Sequence, residues 1–201
     1  MTDVDVTDDE WIDDLPPLVR AAALGDAGEV AELLRTGIDA NQVTGWGWSA
    51  LHAAARFNHL QVVVDLLAAG ANVDARDDSG FTPLLTAAEA DAPIAAALLG
   101  AGADPMAQEP GMGWRPLDRF AGYDNAPTVA LLLKAGVEVD ALTSYGATAL
   151  MSAAEEDAAT CVRLLLDAGA DPSLTCEGET PAELATKHGY LATAALITAR
   201  R

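Results

Sequence analysis

Residues 47–79 read GWSALHAAARFNHLQVVVDLLAAGANVDARDDS, and residues 80–112 read GFTPLLTAAEADAPIAAALLGAGADPMAQEPGM. The two strings are copies of one pattern. Each opens on Gly, an aromatic, a Ser or Thr and, two residues later, a Leu. A pair of alanines follows three residues after that Leu, and a leucine pair leads to a second Gly. Residues 113–145 and 146–177 repeat it, a shorter copy begins at Gly178, and a diverged one occupies 14–46. Leu18, Leu51, Leu84, Leu117 and Leu150 fall 33 residues apart. Gly37, Gly70, Gly102, Gly136 and Gly169 follow at intervals of 33, 32, 34 and 33. A period of this length marks stacked supersecondary units that share one continuous core.

The residues explain the unit. Ser49, Thr82, Thr148 and Thr180 carry hydroxyls that can cap a first helix. Pro83, Pro116 and Pro181 then fall at the first helical position, where a missing N–H costs nothing. The paired alanines permit close approach of the neighbouring helix. A short turn at Gly25, Asn58, Asp91, Asp124, Asp157 or Gly189 leads to a second helix, which Pro93 and Pro127 begin in two copies. Its leucine pairs, such as Leu66-Leu67, face inward, and the repeated Gly suits a left-handed helix end. An extended turn runs to the next copy.

This pattern resembles the ankyrin repeat. The frame appears as Ser49-Ala50-Leu51-His52 with Ala54 and Ala55, and as Thr82-Pro83-Leu84-Leu85 with Ala87 and Ala88. It closes with Leu98-Leu99-Gly100-Ala101-Gly102-Ala103-Asp104 and Leu165-Leu166-Asp167-Ala168-Gly169-Ala170-Asp171. The resemblance implies an all-α repeat solenoid of about six ankyrin units over 14–201, near 14–46, 47–79, 80–112, 113–145, 146–177 and 178–201. The end units are expected to act as caps. Glu29 stands where other second helices carry Val, Ile or Cys, and the chain ends Thr198-Ala199-Arg200-Arg201. Residues 1–13 lie outside the array and read as an acidic, disordered segment, in which Trp11 and Ile12, with Leu15, could form one apolar turn.

The charge balance is lopsided. Asp and Glu number 31 against 11 Lys and Arg, a formal net charge of −20. Such a surface repels nucleic acid and anionic membranes and attracts basic proteins; solubility is the alternative use of the charge. No run of 18 apolar residues is present, so no membrane helix is expected. The acidic opening MTDVDVTDDE has neither the basic start of a secretory leader nor the arginines of a transit peptide, so a cytoplasmic location is expected. The Ala-rich, Lys-poor composition suggests a bacterial source. Cys161 falls in an apolar helical pattern and Cys176 in a turn, and no structural disulfide is expected.

No catalytic or metal constellation emerges. His52 and His59 sit where the ankyrin resemblance implies ties between neighbouring turns, and His188 lies far along the array. No His pair has i, i+4 spacing and no Cys pair has C-x-x-C spacing. Gly45-Trp46-Gly47 and Gly111-Met112-Gly113 do not extend to a phosphate loop. Asp74, Asp77 and Asp78 lack the spacing of a calcium loop. Glu155, Glu156 and Asp157 read as a solvated turn that could contribute an acidic contact surface. No cofactor is expected.

Three copies instead carry an aromatic just before the capping position, at Trp48, Phe81 and Trp114. Trp46 and Tyr145 lie on neighbouring turn positions. Equivalent residues on stacked units should lie about 10 Å apart. Aromatics in a row either mark a binding surface or fold over adjacent turns. Arg115 replaces the capping Thr, and Asp118, Arg119 and Phe120 depart from the repeat pattern in the same unit, through function or through degeneration of the repeat. Arg56, Phe57 and Tyr123 fall at first-helix ends on the same side. In the ankyrin family the turn tips and first helices form a concave docking face. The resemblance therefore implies a non-catalytic module, monomeric when unbound, that holds another protein through Trp46, Trp48, Arg56, Phe57, Phe81, Trp114, Arg115, Arg119, Tyr123 and Tyr145. The readings within that class are an adaptor, an immunity-type inhibitor of a basic toxin or nuclease, and a docking or regulatory subunit of an enzyme. A small carboxylate held by Arg56 or Arg115 is a separate reading.

Overall fold

Helix initiation follows the caps. Ser49, Thr82, Thr148 and Thr180 adopt extended backbone, and each hydroxyl accepts the N–H three residues on. In a computed structural model, which describes residues 12 and 14–200, the helices come as six consecutive pairs. These are α1 (Pro17–Leu24) and α2 (Ala27–Arg35), α3 (Ala50–Arg56) and α4 (Leu60–Ala68), α5 (Pro83–Thr86) and α6 (Ala92–Gly100). They continue with α7 (Pro116–Gly122) and α8 (Ala126–Lys134), α9 (Ala149–Glu155) and α10 (Ala159–Asp167), α11 (Pro181–Lys187) and α12 (Leu191–Thr198). Among the described residues, extended pairing is limited to isolated bridges at Val43–Ser49 and Cys176–Glu179.

The pairs stack in register. First helices pack on first helices from α1 through α11, and second helices on second helices from α2 through α12. One apolar cluster runs between the rows. Leu18, Leu51, Leu84, Leu117 and Leu150 are all buried in it, as are Val30, Val63, Ile94, Val129 and Val162. A helix pair this short cannot exclude water from both sides of its apolar stripe, so each unit depends on its neighbours. The ends are closed by polar groups and short chain segments. Arg20 pairs with Glu29 at 3.2 Å in the first unit, and Arg200 of the last unit pairs with Asp167 of the fifth at 2.7 Å. Ile12 and Leu15 are buried against the first unit. The remainder of the acidic segment, 1–11 and 13, falls outside the described residues.

Hydrogen bonds tie unit to unit. Neutral His52 accepts the Ser49 N–H at Nδ1, so Nε2 donates to the Phe81 carbonyl of the next unit at 3.0 Å. Burial holds its pKa below 6.5. His59 makes the same kind of bond to the Ala23 carbonyl. The acids of the extended turns serve too. Backbone N–H groups of Asp104 and Asp171 donate to the carboxylates of Asp74 and Asp140 in the preceding units. Asp77 accepts from Ser79 and Phe81. Among the described residues no group of three His, Cys, Asp or Glu is placed to hold a metal ion. Neither cysteine is bridged, and burial, helped by nearby Asp124, pushes the Cys161 thiol up to about 12.

The third unit breaks the rule. Between Leu84 and Gly102 it is one residue shorter than its neighbours. Asn58, Asp124 and Asp157 turn the other central units with positive φ, whereas Asp91 has φ −65°. The lost residue falls in the linking turn, where Ala90 alone precedes the N-cap Asp91, and beside it α5 runs only four residues before tightening into a 3₁₀ turn, Ala87–Glu89. The contact from α5 to α7 is accordingly the thinnest in the first-helix row.

Candidate functional site

Unwinding α5 changes what its carbonyls can reach. Arg119, on α7, fills the opening and donates from Nε to the Leu85 carbonyl at 3.1 Å. Its guanidinium lies 5.1 Å from the Phe81 ring centre, 5.5 Å from Trp114 and 5.8 Å from Tyr123. Three rings around one guanidinium is a cation–π arrangement that also screens the charge from water. Burial is the largest influence on Arg119 and lowers its pKa, yet an arginine so bonded stays charged.

Glu89, at the end of the 3₁₀ turn, completes the cluster. Its carboxylate pairs with Arg56 at 3.0 Å. Burial pushes its pKa up, but the Arg56 hydrogen bond and charge, with help from Tyr123 and Arg119, hold it below the usual value. Tyr123 is pushed up by burial and by Glu89. Arg56, Phe81, Glu89, Trp114, Arg119 and Tyr123 thus form one connected patch across units two to four.

The other expected site residues lie around it. Trp48 meets Phe57 edge-on, ring centres 6.0 Å apart and planes at 88°. Trp46 and Tyr145 stand out at separate turn tips, 51% and 62% exposed. Trp48, Phe81 and Trp114 are half-buried, because Trp48 lies against Phe57 and the other two against Arg119. Tyr123 is 51% exposed and presents the patch to solvent.

Arg115 has no side-chain acceptor, so it cannot cap α7. Only half of a capping box exists there: Asp118 accepts the Arg115 N–H at 2.8 Å. The Arg115 side chain instead crosses to the Leu142 carbonyl at 2.7 Å. Asp118 is 3% exposed. Burial, only partly offset by Arg115, raises its pKa to about 6.

Next to the patch, between α7 and α9, lies a half-open cavity of about 370 Å³. Trp114, Arg119 and Tyr123 form the wall shared with the patch, and Asp118, Glu155 and Glu156 supply carboxylates. Glu89 and this cavity were not among the expected site residues. The 32-residue interval from Gly70 to Gly102 was the available signal for Glu89; no residue of the third unit lines the cavity.

A family model described as ankyrin repeats matches residues 18–109, 91–176 and 117–200. Ankyrin repeat protein nuc-2 of Neurospora crassa is 34% identical over 152 residues, covering 74% of this chain and 14% of that protein. SH3 and multiple ankyrin repeat domains protein 2 of Homo sapiens is 31% identical over 174 residues, covering 84% of this chain and 9% of that protein. The chain therefore spans a small part of these curated relatives. A crystal structure of an ankyrin repeat domain from Acinetobacter baumannii AYE superposes with a TM-score of 0.78 at 31% identity, covering 92% of this chain and 97% of that one. Among the described residues no helix is long and apolar enough to cross a membrane.

Proposed function

Because this chain belongs to the ankyrin-repeat family, we propose that it is a non-catalytic binding module that holds another protein on the face formed by its first helices and turn tips. The observation that carries this reading is the patch of Arg56, Phe81, Glu89, Trp114, Arg119 and Tyr123. The repeat scaffold requires none of these residues. Aromatic and arginine side chains in a rigid, half-buried cluster are the usual anchors of protein interfaces. Fixed in place before binding, they lose little freedom when a partner docks.

The net charge of −20 favours a basic partner. It supports an inhibitor of the immunity type, acting on a basic toxin or nuclease in the cytoplasm of a bacterium. The aromatic component supports the second reading, a docking or regulatory subunit whose contact resists salt. Affinity capture from the source cells at low and at high salt separates them. A basic protein released by salt supports the inhibitor, because screening at high ionic strength removes charge attraction between exposed groups. A protein retained at high salt supports the docking subunit. The double variant Arg56→Ala/Tyr123→Ala should lose either partner while keeping its helical circular dichroism. Capture unaffected by that variant would refute the assignment of the face.

A further inference from the structure

The cavity between α7 and α9 has a chemistry of its own. Its charged lining residues are Asp118, Glu155, Glu156 and Arg119, which leaves two negative charges unbalanced. Glu155 and Glu156 are exposed at the rim. Asp118 lines the inside at 3% exposure. Its Oδ2 accepts the Arg115 N–H at 2.8 Å. A carboxylate has acceptor sites on both oxygens, so Asp118 keeps capacity for a further donor. Burial raises its pKa to about 6, so it is mostly ionised at neutral pH.

The walls decide which cation fits. An inorganic divalent ion needs a converging shell of oxygens, and among the described residues no three carboxylates converge in that way; the site adds the indole of Trp114 and the phenol of Tyr123. Aromatic faces favour a large, weakly hydrated organic cation. A guanidinium is planar, stacks on rings and forks onto carboxylates. The volume of about 370 Å³ is that of a small-ligand cleft.

We propose that this cavity receives an arginine side chain of a basic partner, stacked along Trp114 and Tyr123 and bonded to Asp118, Glu155 and Glu156. The assignment rests on the docking reading above and specifies its partner's chemistry. Arg119 already holds the adjoining slot among Phe81, Trp114 and Tyr123, so the incoming guanidinium extends a stack that the fold has begun.

The test is titration of the full chain with N-acetyl-arginine amide, followed by backbone amide resonances. N-acetyl-citrulline amide serves as the neutral isostere. Saturable shifts confined to residues 116–123 and 147–156 are expected. The citrulline compound should bind about tenfold more weakly, and Glu155→Gln/Glu156→Gln should weaken arginine binding by about the same factor. Both substitutions are at exposed positions, and unchanged circular dichroism verifies the fold. Equal binding of the two compounds, absence of saturable shifts in α7 and α9, or indifference of the double variant would overturn the assignment. The docking reading is judged separately. A partner that Arg56→Ala/Tyr123→Ala loses but Glu155→Gln/Glu156→Gln retains would sink the cavity assignment and leave the docking face standing. Arginine binding as expected, with no protein captured, would sustain the cavity and remove the docking reading.

Discussion

Replacing Asp118 by Asn should stabilise this protein at neutral pH and do little in acid. Asp118 is 3% exposed, and its pKa is raised from 3.8 to about 6. At about 1.36 kcal/mol per pH unit, that rise corresponds to about 3 kcal/mol. The folded state holds this proton more tightly than the unfolded chain. Stability contributed by the protonated acid is therefore present below the ordinary aspartate value and is lost as pH rises through about 6. Above that the penalty is constant. Asn cannot ionise, and its Oδ1 can still accept the Arg115 N–H that Asp118 accepts now at 2.8 Å. The help that the Arg115 bond gives the ionised form is already contained in the shift. A gain of about 3 kcal/mol is therefore the upper expectation at about pH 8, and little difference is expected at about pH 4. Urea unfolding of both proteins at several pH values reads the difference directly. Comparing the two proteins at each pH cancels the carboxylates they share. A difference that stays constant from about pH 4 to pH 8 would refute the argument, since it would place the effect in packing and not in ionisation.

Three further substitutions probe the joints of the array. Arg119→Lys keeps a charge but loses the Nε bond to Leu85 and the planar stack on Phe81, Trp114 and Tyr123, so a loss of about 2 kcal/mol is expected in denaturant unfolding. His52→Ala removes the bridge from unit two to the Phe81 carbonyl. It should cost about 2 kcal/mol, and it should abolish the part of acid destabilisation that comes from the depressed His52 pKa, which sets in as pH falls below 6.5. Gly113→Ala places a Cβ 2.5 Å from Ser144 Oγ and 2.8 Å from Ser144 N at φ +74°. Gly136→Ala meets nothing within 4 Å at φ +81°. The first should lower the melting temperature clearly more than the second, whose cost of about 1 kcal/mol is the left-handed backbone alone.

Most of the scaffold was legible because a repeat fixes backbone positions many times over. The hydroxyl caps, the first-turn prolines and the left-handed glycines each recur, so one misread copy is corrected by the others. The site was less legible for the same reason. Its residues are the ones that differ between copies, and periodicity places their Cα atoms but says nothing about side-chain torsions. For Trp48, Phe81 and Trp114 the repeat position left open whether the rings mark a binding surface or fold over adjacent turns. Two of them turn onto Arg119 and the third onto Phe57. Arg119 bonds to Leu85, a partner 34 residues away, made available by a helix that ends early. That ending lies beside a single missing residue, visible in the chain only as an interval of 32 where 33 is the rule.

The short α5 also gives the array a seam. In a linear stack, cooperativity passes only from neighbour to neighbour, so the thinnest junction decides where the chain behaves as one block or as two. Units one and two on one side, and four to six on the other, meet through a unit with a truncated first helix, bridged by the Arg119 side chain. Under tension, or in mild denaturant, the stack should part there first. A partner seated across units two to four would rivet the two blocks, so its binding would read out as mechanical stiffening of the whole rod.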